Sequence, residues 1–126
     1  MSNQAIGAWG EKIAGTWLTI RGWNVLWRNF RAKGGGEVDL VCRDNDTLVF
    51  VEVKTRTSDF FGQPASAVTK DKERLITRGA LAWLRRLQKP DILFRFDILE
   101  VIAIEGKPPK PNLIQNAFQM PDDYFV

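Results

Sequence analysis

The stretch "GGGEVDLVCRDNDTLVFVEVKTR", Gly34 to Arg56, decides how this chain folds. It reads as two apolar strands, about Glu37–Cys42 and Leu48–Lys54, joined by the polar turn "DNDT". Strand side chains alternate, so Glu37, Asp39 and Val41 share one face while Val38, Leu40 and Cys42 take the other. In the second strand Phe50, Glu52 and Lys54 face one way, and Val49, Val51 and Val53 face the core. With residues 44–47 as the turn, Arg43 pairs with Leu48. Counting outward sets Val41 opposite Phe50, Asp39 opposite Glu52 and Glu37 opposite Lys54. A slip of one residue would scatter these pairs.

Directly opposed strand side chains hold their Cβ atoms about 4.5–5.5 Å apart. Two ionised carboxylates at about 5 Å repel by roughly 3 kcal/mol at an effective dielectric near 20. A small domain has only about 5–15 kcal/mol of stability to set against that. A divalent cation turns the repulsion into coordination, and hard oxygen ligands suit magnesium or manganese. Lys54 offers partial neutralisation without an ion. A solvated polar hairpin face is the plain alternative. Val41 and Phe50 continue the same face as apolar residues, however, so the carboxylates read as a polar pocket at one end of a covered surface.

Composition narrows the chemistry. The 126-residue length suits one domain, residues 1–126, with 44% hydrophobic and 26% charged residues. Histidine is absent, which removes Ser–His–Asp and Cys–His catalysis, His-ligated zinc and nuclease mechanisms with a histidine base. Cys42 is the single cysteine, so there is no internal disulfide or Cys-rich zinc site, and its apolar strand marks it as a buried inert thiol. Catalysis falls to carboxylates, Lys, Arg, hydroxyls or a bound metal. The net charge of +3 is compatible with a polyanionic partner without demanding one. The N-terminus lacks a signal-peptide pattern and no apolar run approaches membrane length, so the expectation is a cytoplasmic protein with no membrane partner.

Outward from the hairpin, Ser2 or Asn3 caps a helix to about Ile20, with Ile6, Ile13, Trp17 and Ile20 as its apolar stripe. Gly7, Gly10 and Gly15 each weaken that helix by about 1 kcal/mol, which implies close packing or a ligand approach in return. Glu11 lies on this small-residue face, placed either to approach a strand or to stay solvated. Trp23, Val25 and Trp27 alternate as a first strand, and "RNFRAKGGG" reads as a flexible link. After a loop at "SDFFGQPASAV", Thr69 caps a helix to about Gln88, stopped by Pro90. Its apolar side carries Ile76, Ala80, Trp83, Leu84 and Leu87. Strands at Arg95–Ile104 and Asn112–Phe118 complete an αβββαββ order, hence a mixed sheet flanked by helices.

At this point Asp39 followed by Glu52-Val53-Lys54 resembles the PD-(D/E)XK nuclease motif, with Val38 in place of the proline. The blocks "RNFR", "GGGEVDLV", "LVFVEVKTR", "FGQPASAV", "RFDIL" and "NAF" occur in order and resemble the YraN-type family of uncharacterised bacterial proteins. These are predicted endonucleases distantly similar to archaeal Holliday junction resolvases. The resemblance runs from Gly10-Glu11 to Phe118 and implies a restriction-endonuclease-like α/β fold. It implies that Asp39 and Glu52, with the Val53 main-chain carbonyl, ligate magnesium or manganese. Lys54 would orient or help activate the attacking water, and Glu11 would complete the catalytic set. Glu37, Gln63 and Lys72 are accessory candidates.

Arg28, Asn29, Arg31, Lys33, Arg56 and Lys70 are candidate nucleic-acid contacts, since cations flanking the strand pair could neutralise backbone phosphates. The five tryptophans mostly fit amphipathic periods and read as core. Phe60 and Phe61 could flank a substrate, while Arg95 and Asp97 read as a structural ion pair. The leading functional reading is a metal-dependent endonuclease acting on DNA, branched or otherwise structured forms included. The alternatives are a nucleic-acid-binding module with little cleavage, or an interaction domain whose acidic pocket binds metal for stability. The resemblance to junction resolvases also implies a homodimer, and the apolar residues of "NAF…YFV" could serve its interface or equally close the core.

Overall fold

The computed structural model describes residues 2–57, 68–88 and 91–121. The elements are α1 (Asn3–Ile20), β1 (Asn24–Arg31), β2 (Glu37–Asp44), β3 (Thr47–Arg56), α2 (Lys70–Leu87), β4 (Leu93–Ile102) and β5 (Lys110–Phe118). This is the expected αβββαββ order. Both helices start where a hydroxyl can cap them. Ser2 Oγ accepts from the Ala5 amide at 3.1 Å, and Thr69 Oγ1 from the Lys72 amide at 3.2 Å. The second helix ends at Gln88, in the left-handed conformation at φ 55°. Pro90, its expected stop, lies outside the described residues, as do Phe60, Phe61, Gln63 and the final Tyr124-Phe125-Val126.

The five strands lie in the order β1-β2-β3-β4-β5. The β3–β4 pair is parallel and the others are antiparallel, because only β3 and β4 are joined through a helix. Each helix covers one face, giving three layers. On one side Ala14 and Leu18 of α1 pack on Leu40, Val49, Val51 and Leu99. On the other, Ile76 and Ala80 of α2 pack on Val41, Phe50, Phe96 and Ile98. A fully buried side chain such as Leu18 contributes about 1.5–3 kcal/mol relative to exposure.

Two readings of the strands are corrected. The segment read as a flexible link is strand as far as Arg31, and Phe30 within it is buried. The first strand also changes face. Val25 pairs with Cys42 but Trp27 pairs with Val41, so Leu26 is an extra residue in a bulge. Trp23 and Val25 therefore join the α1-side core, while Trp27 turns to α2 and meets Trp83 at 6.0 Å.

The second correction concerns Val38. Alternation puts it with Leu40, yet it packs with Val41 on the α2 side. At this point α2 approaches the strand backbone closely. A Cβ on Gly36, itself at φ +107°, would lie 2.5 Å from the Gly79 amide nitrogen. A Cβ on Gly79 would lie 2.9 Å from Val38 Cγ2 and 3.0 Å from the Glu37 backbone. Glycine facing glycine lets the helix sit directly on residues 36–38. Across the sheet, α1 makes a similar approach: a Cβ on Gly10 would meet Thr55 Oγ1 at 1.8 Å, and one on Gly15 would meet the Arg28 guanidinium at 2.2 Å. Gly7 faces open space, so the expectation of a close neighbour fails there.

Cys42 is fully buried, and burial pushes its thiol up to about 12, which leaves it inert as expected. Arg95 and Asp97 form the expected ion pair at 3.0 Å. Asp97 is completely buried and also accepts from the Asn116 amide at 2.9 Å, where a bulge in β5 turns that N–H inward. Arg95 reaches on to Asp44 at 3.2 Å and lies over the Trp23 ring at 5.4 Å.

Candidate active site

The β2–β3 hairpin begins in the expected register. Arg43 pairs with Leu48 and Val41 with Phe50 across a two-residue turn at Asn45-Asp46, Asn45 being left-handed at φ 56°. The ladder then stops at Leu40 and Val51. Asp39 and Glu52 are not ladder partners, and neither are Glu37 and Lys54. Instead the Asp39 carboxylate takes over the backbone's role: its Oδ2 accepts from the Val53 amide at 2.9 Å. Beyond Leu40 and Val51 the two strands run on without pairing, which leaves a notch between β2 and β3. Asp39 sits at the apex of that notch.

Three acidic side chains from three elements meet there. Glu52 projects from β3 on the α2 side and is only 3% exposed. Burial pushes its carboxyl up to about 9, and a hydrogen bond to Asp39 and the Asp39 charge push the same way. The ammonium groups of Lys72 and Lys54 oppose this. Glu11 comes from α1, one residue after the Gly10–Thr55 contact that lays the helix against β3. Burial lifts its carboxyl to about 7, with the charge and hydrogen bond of Asp39 adding to the effect and Arg31 opposing it. The reading of Glu11 as approaching a strand is therefore the one realised, and the solvated reading is not.

The cations are distributed differently from the expected register. Glu37 pairs with Lys72, not Lys54: its Oε1 accepts from Lys72 Nζ at 2.7 Å, and its Oε2 from Arg31 at 3.2 Å. Lys72 Nζ also lies 3.5 Å from Glu52 Oε2. Burial pulls the Lys72 ammonium down, but Glu37, Glu52 and Asp39 outweigh it and hold the group above its ordinary value. Lys72 thus bridges Glu37 and Glu52 at the centre of the cluster. Lys54 acts on Glu52 through its charge and makes no ion pair within the described residues.

The flanking candidates divide. Arg31 and Lys33 are exposed beside the cluster, and Asn29 is exposed at a left-handed φ of 55°. Arg28 lies along α1 over Gly15. Lys70 is 87% exposed and 3.5 Å from Glu73. Arg56 is committed to an ion pair with Glu100, which is 3% exposed and stands beside Lys54 in the β3–β4 ladder. Glu100 was not among the sequence candidates. An acid within the apolar run "ILEVI" was the signal that could have found it.

Asp39 and Glu52, joined by a hydrogen bond between their carboxyl groups, are the pair whose oxygens could hold a hard cation. Among the described residues no group of three or more metal-binding side chains forms a ready-made cage.

The sequence matches the profile of Uncharacterised protein family UPF0102 over residues 10–101. The chain belongs to that family. The UPF0102 protein of Geobacter metallireducens is 44% identical over 120 residues, covering 95% of this chain and 97% of that protein. Those of Trichlorobacter lovleyi (43% over 119 residues; 94% and 93% covered) and Caldicellulosiruptor saccharolyticus (40% over 119 residues; 94% and 100% covered) are similar in kind. The span matched to UPF0102 contains Glu11, Glu37, Asp39, Glu52, Lys54 and Lys72, the whole cluster. Among the described residues of this UPF0102 chain, no helix is long and apolar enough to cross a membrane.

Proposed function

We propose that the protein is a metal-dependent endonuclease that hydrolyses phosphodiester bonds in DNA. The observation that carries this reading is the meeting of Glu11, Asp39 and Glu52, from three elements, at the place where the sheet opens. Buried carboxylates are costly unless something cationic answers them, and Lys72 and Lys54 answer only part of this set.

The donor chemistry fits magnesium or manganese: hard carboxylate oxygens of Asp39 and Glu52, with the Val53 carbonyl as a further oxygen donor. Such an ion, when bound, polarises a phosphate and lowers the pKa of its water. The protein's own groups have separate tasks. The Val53 amide fixes the Asp39 carboxylate at the apex of the notch. Lys72 holds Glu52 and Glu37 in place. Lys54, with no ion-pair partner among the described residues, supplies positive charge for a phosphate oxygen or holds the attacking water. Glu11, hydrogen-bonded to Asp39, stands beside the pair to complete the acidic set.

One observation favours the second reading, a nucleic-acid-binding module with little cleavage. Lys72 already offers an internal cation to two acids. The test is cleavage of single-stranded, duplex and four-way-junction DNA in magnesium, manganese or EDTA, beside Asp39→Ala and Lys54→Ala. Metal-dependent cleavage lost in both variants supports the enzyme. Binding without cleavage of any substrate in either metal supports the binding module.

A further inference from the structure

On the α2 face, two cavities of about 300 Å³ and about 440 Å³ lie side by side and share Ala32, Lys33, Ala82 and Arg85. Together they form one groove between the β1–β2 turn and the exposed flank of α2. Its cations are Arg31, Lys33, Arg78, Arg85 and Arg86, and among the described residues no aspartate or glutamate lines either cavity. The whole chain carries only +3, so this is a strong local concentration of charge, the footprint of a polyanion site.

The groove is built rather than incidental. Its turn wall is seated on α2 by the Gly36–Gly79 contact. The Arg86 guanidinium rests on an aromatic shelf, 5.6 Å from the Trp83 ring centre and 5.7 Å from those of Trp27 and Phe30. Stacking of this kind orients the planar group and leaves its N–H edges for an anion. The groove also leads to the carboxylates: Arg31 on its wall donates to Glu37, which accepts from Lys72 beside Glu52. From Lys72 to Arg85 the helix rises about 20 Å, room for about six phosphates at about 3.4 Å of axis per strand.

We infer that this groove binds the phosphodiester backbone of a nucleic acid, leads it to the carboxylate cluster and does so without reading sequence. Among the described residues its lining holds no Asn, Gln, Asp or Glu to pair with an adenine or cytosine edge. Gly34 and Gly35 expose main chain where a backbone must approach closely. The inference rests on the nucleic-acid reading proposed above.

The test is fluorescence anisotropy in EDTA with labelled single strands and duplexes of two unrelated sequences. It compares the parent chain, Lys33→Ala/Arg85→Ala, and Lys12→Ala/Arg21→Ala as a control that removes equal charge from exposed positions at α1, on the opposite face. Thermal melts verify that all three are folded. The groove variant should bind roughly tenfold or more weakly on both sequences, with a salt slope shallower by about 2, while the control changes less than about twofold. Equal losses in both variants would overturn the groove, as would a strong preference for one sequence. Binding of anionic vesicles in place of nucleic acid would overturn it too. Groove-dependent binding by a parent that cleaves nothing in magnesium or manganese sinks the endonuclease and leaves the groove standing. Cleavage and binding untouched in the groove variant do the reverse.

Discussion

Two buried acidic centres lie on opposite faces of one sheet and are built by different rules. On the α1 side, Asp97 is wholly buried, but each of its oxygens has a donor. Arg95 Nε lies 3.0 and 3.2 Å away, and the Asn116 amide lies 2.9 Å from one oxygen. Burial still lifts its carboxyl above the ordinary value, with the Asn116 amide and Arg95 pulling it down. On the α2 side, Glu52 is nearly as buried yet leans on Asp39, another acid, and Glu11 leans on the same Asp39. The first centre matches an acid to its own cation and a backbone N–H. The second gathers acids around too few cations. A structural buried charge is satisfied within the fold, whereas an under-compensated cluster is where a ligand has work to do.

The largest test of this contrast is Asp97→Ala. It leaves the Asn116 amide without its acceptor in the interior and Arg95 with Asp44 alone, and should cost about 2–3 kcal/mol of stability, read by urea denaturation. Asp39→Asn should behave oppositely. It keeps an acceptor for the Val53 amide while removing one of the repelling charges, so unfolding should shift by less than about 1 kcal/mol, or rise. Metal-dependent cleavage by that variant should fall on the order of 100-fold or more. A stability loss at Asp39 comparable to that at Asp97 would erase the distinction.

A pH series sharpens it. Glu52 at about 9 and Glu11 at about 7 are both raised above the unfolded value near 4.5. Between those limits the folded state holds more protons than the unfolded chain, so stability falls as pH rises. In EDTA the melting temperature should drop on the order of 5 °C from pH 5 to pH 9. Glu52→Gln should flatten the fall, leaving the share due to Glu11 and Asp97. Magnesium should raise the melting temperature of the parent at pH 8 by mass action, and that of Glu52→Gln much less. The smallest effect belongs to Lys70→Ala. With its side chain 87% exposed beside Glu73, it should change stability by less than about 0.5 kcal/mol.

Much of this was legible before any coordinates. Ser2 and Thr69 announced their helices because a hydroxyl before an apolar stripe satisfies local backbone donors. Period-2 alternation and a short turn were enough for the hairpin register at Arg43–Leu48 and Val41–Phe50. The same count went wrong two residues further on. It assumed a ladder that continues, whereas the ladder ends at Leu40 and Val51. Asp39 stands in a different relation from the expected one, meeting Val53 through its side chain rather than Glu52 through paired backbones. Gly79, an isolated glycine inside a helix pattern, was the overlooked sign that a backbone comes close there.

The sequence by itself therefore determined the local features: the element order, the caps, the hairpin turn, the inert Cys42 and which acids lie in apolar strands. Each depends on neighbours a few residues away and on the fixed periods of helix and strand. Only the tertiary structure decided where the sheet opens, that Glu11 reaches the notch from α1, that Lys72 and not Lys54 holds Glu37, and that Arg56 belongs to Glu100. Those outcomes turn on close contacts, Gly36 on Gly79 and Gly10 on Thr55, between elements far apart in the chain. No periodicity within one strand or helix can encode the distance between two of them.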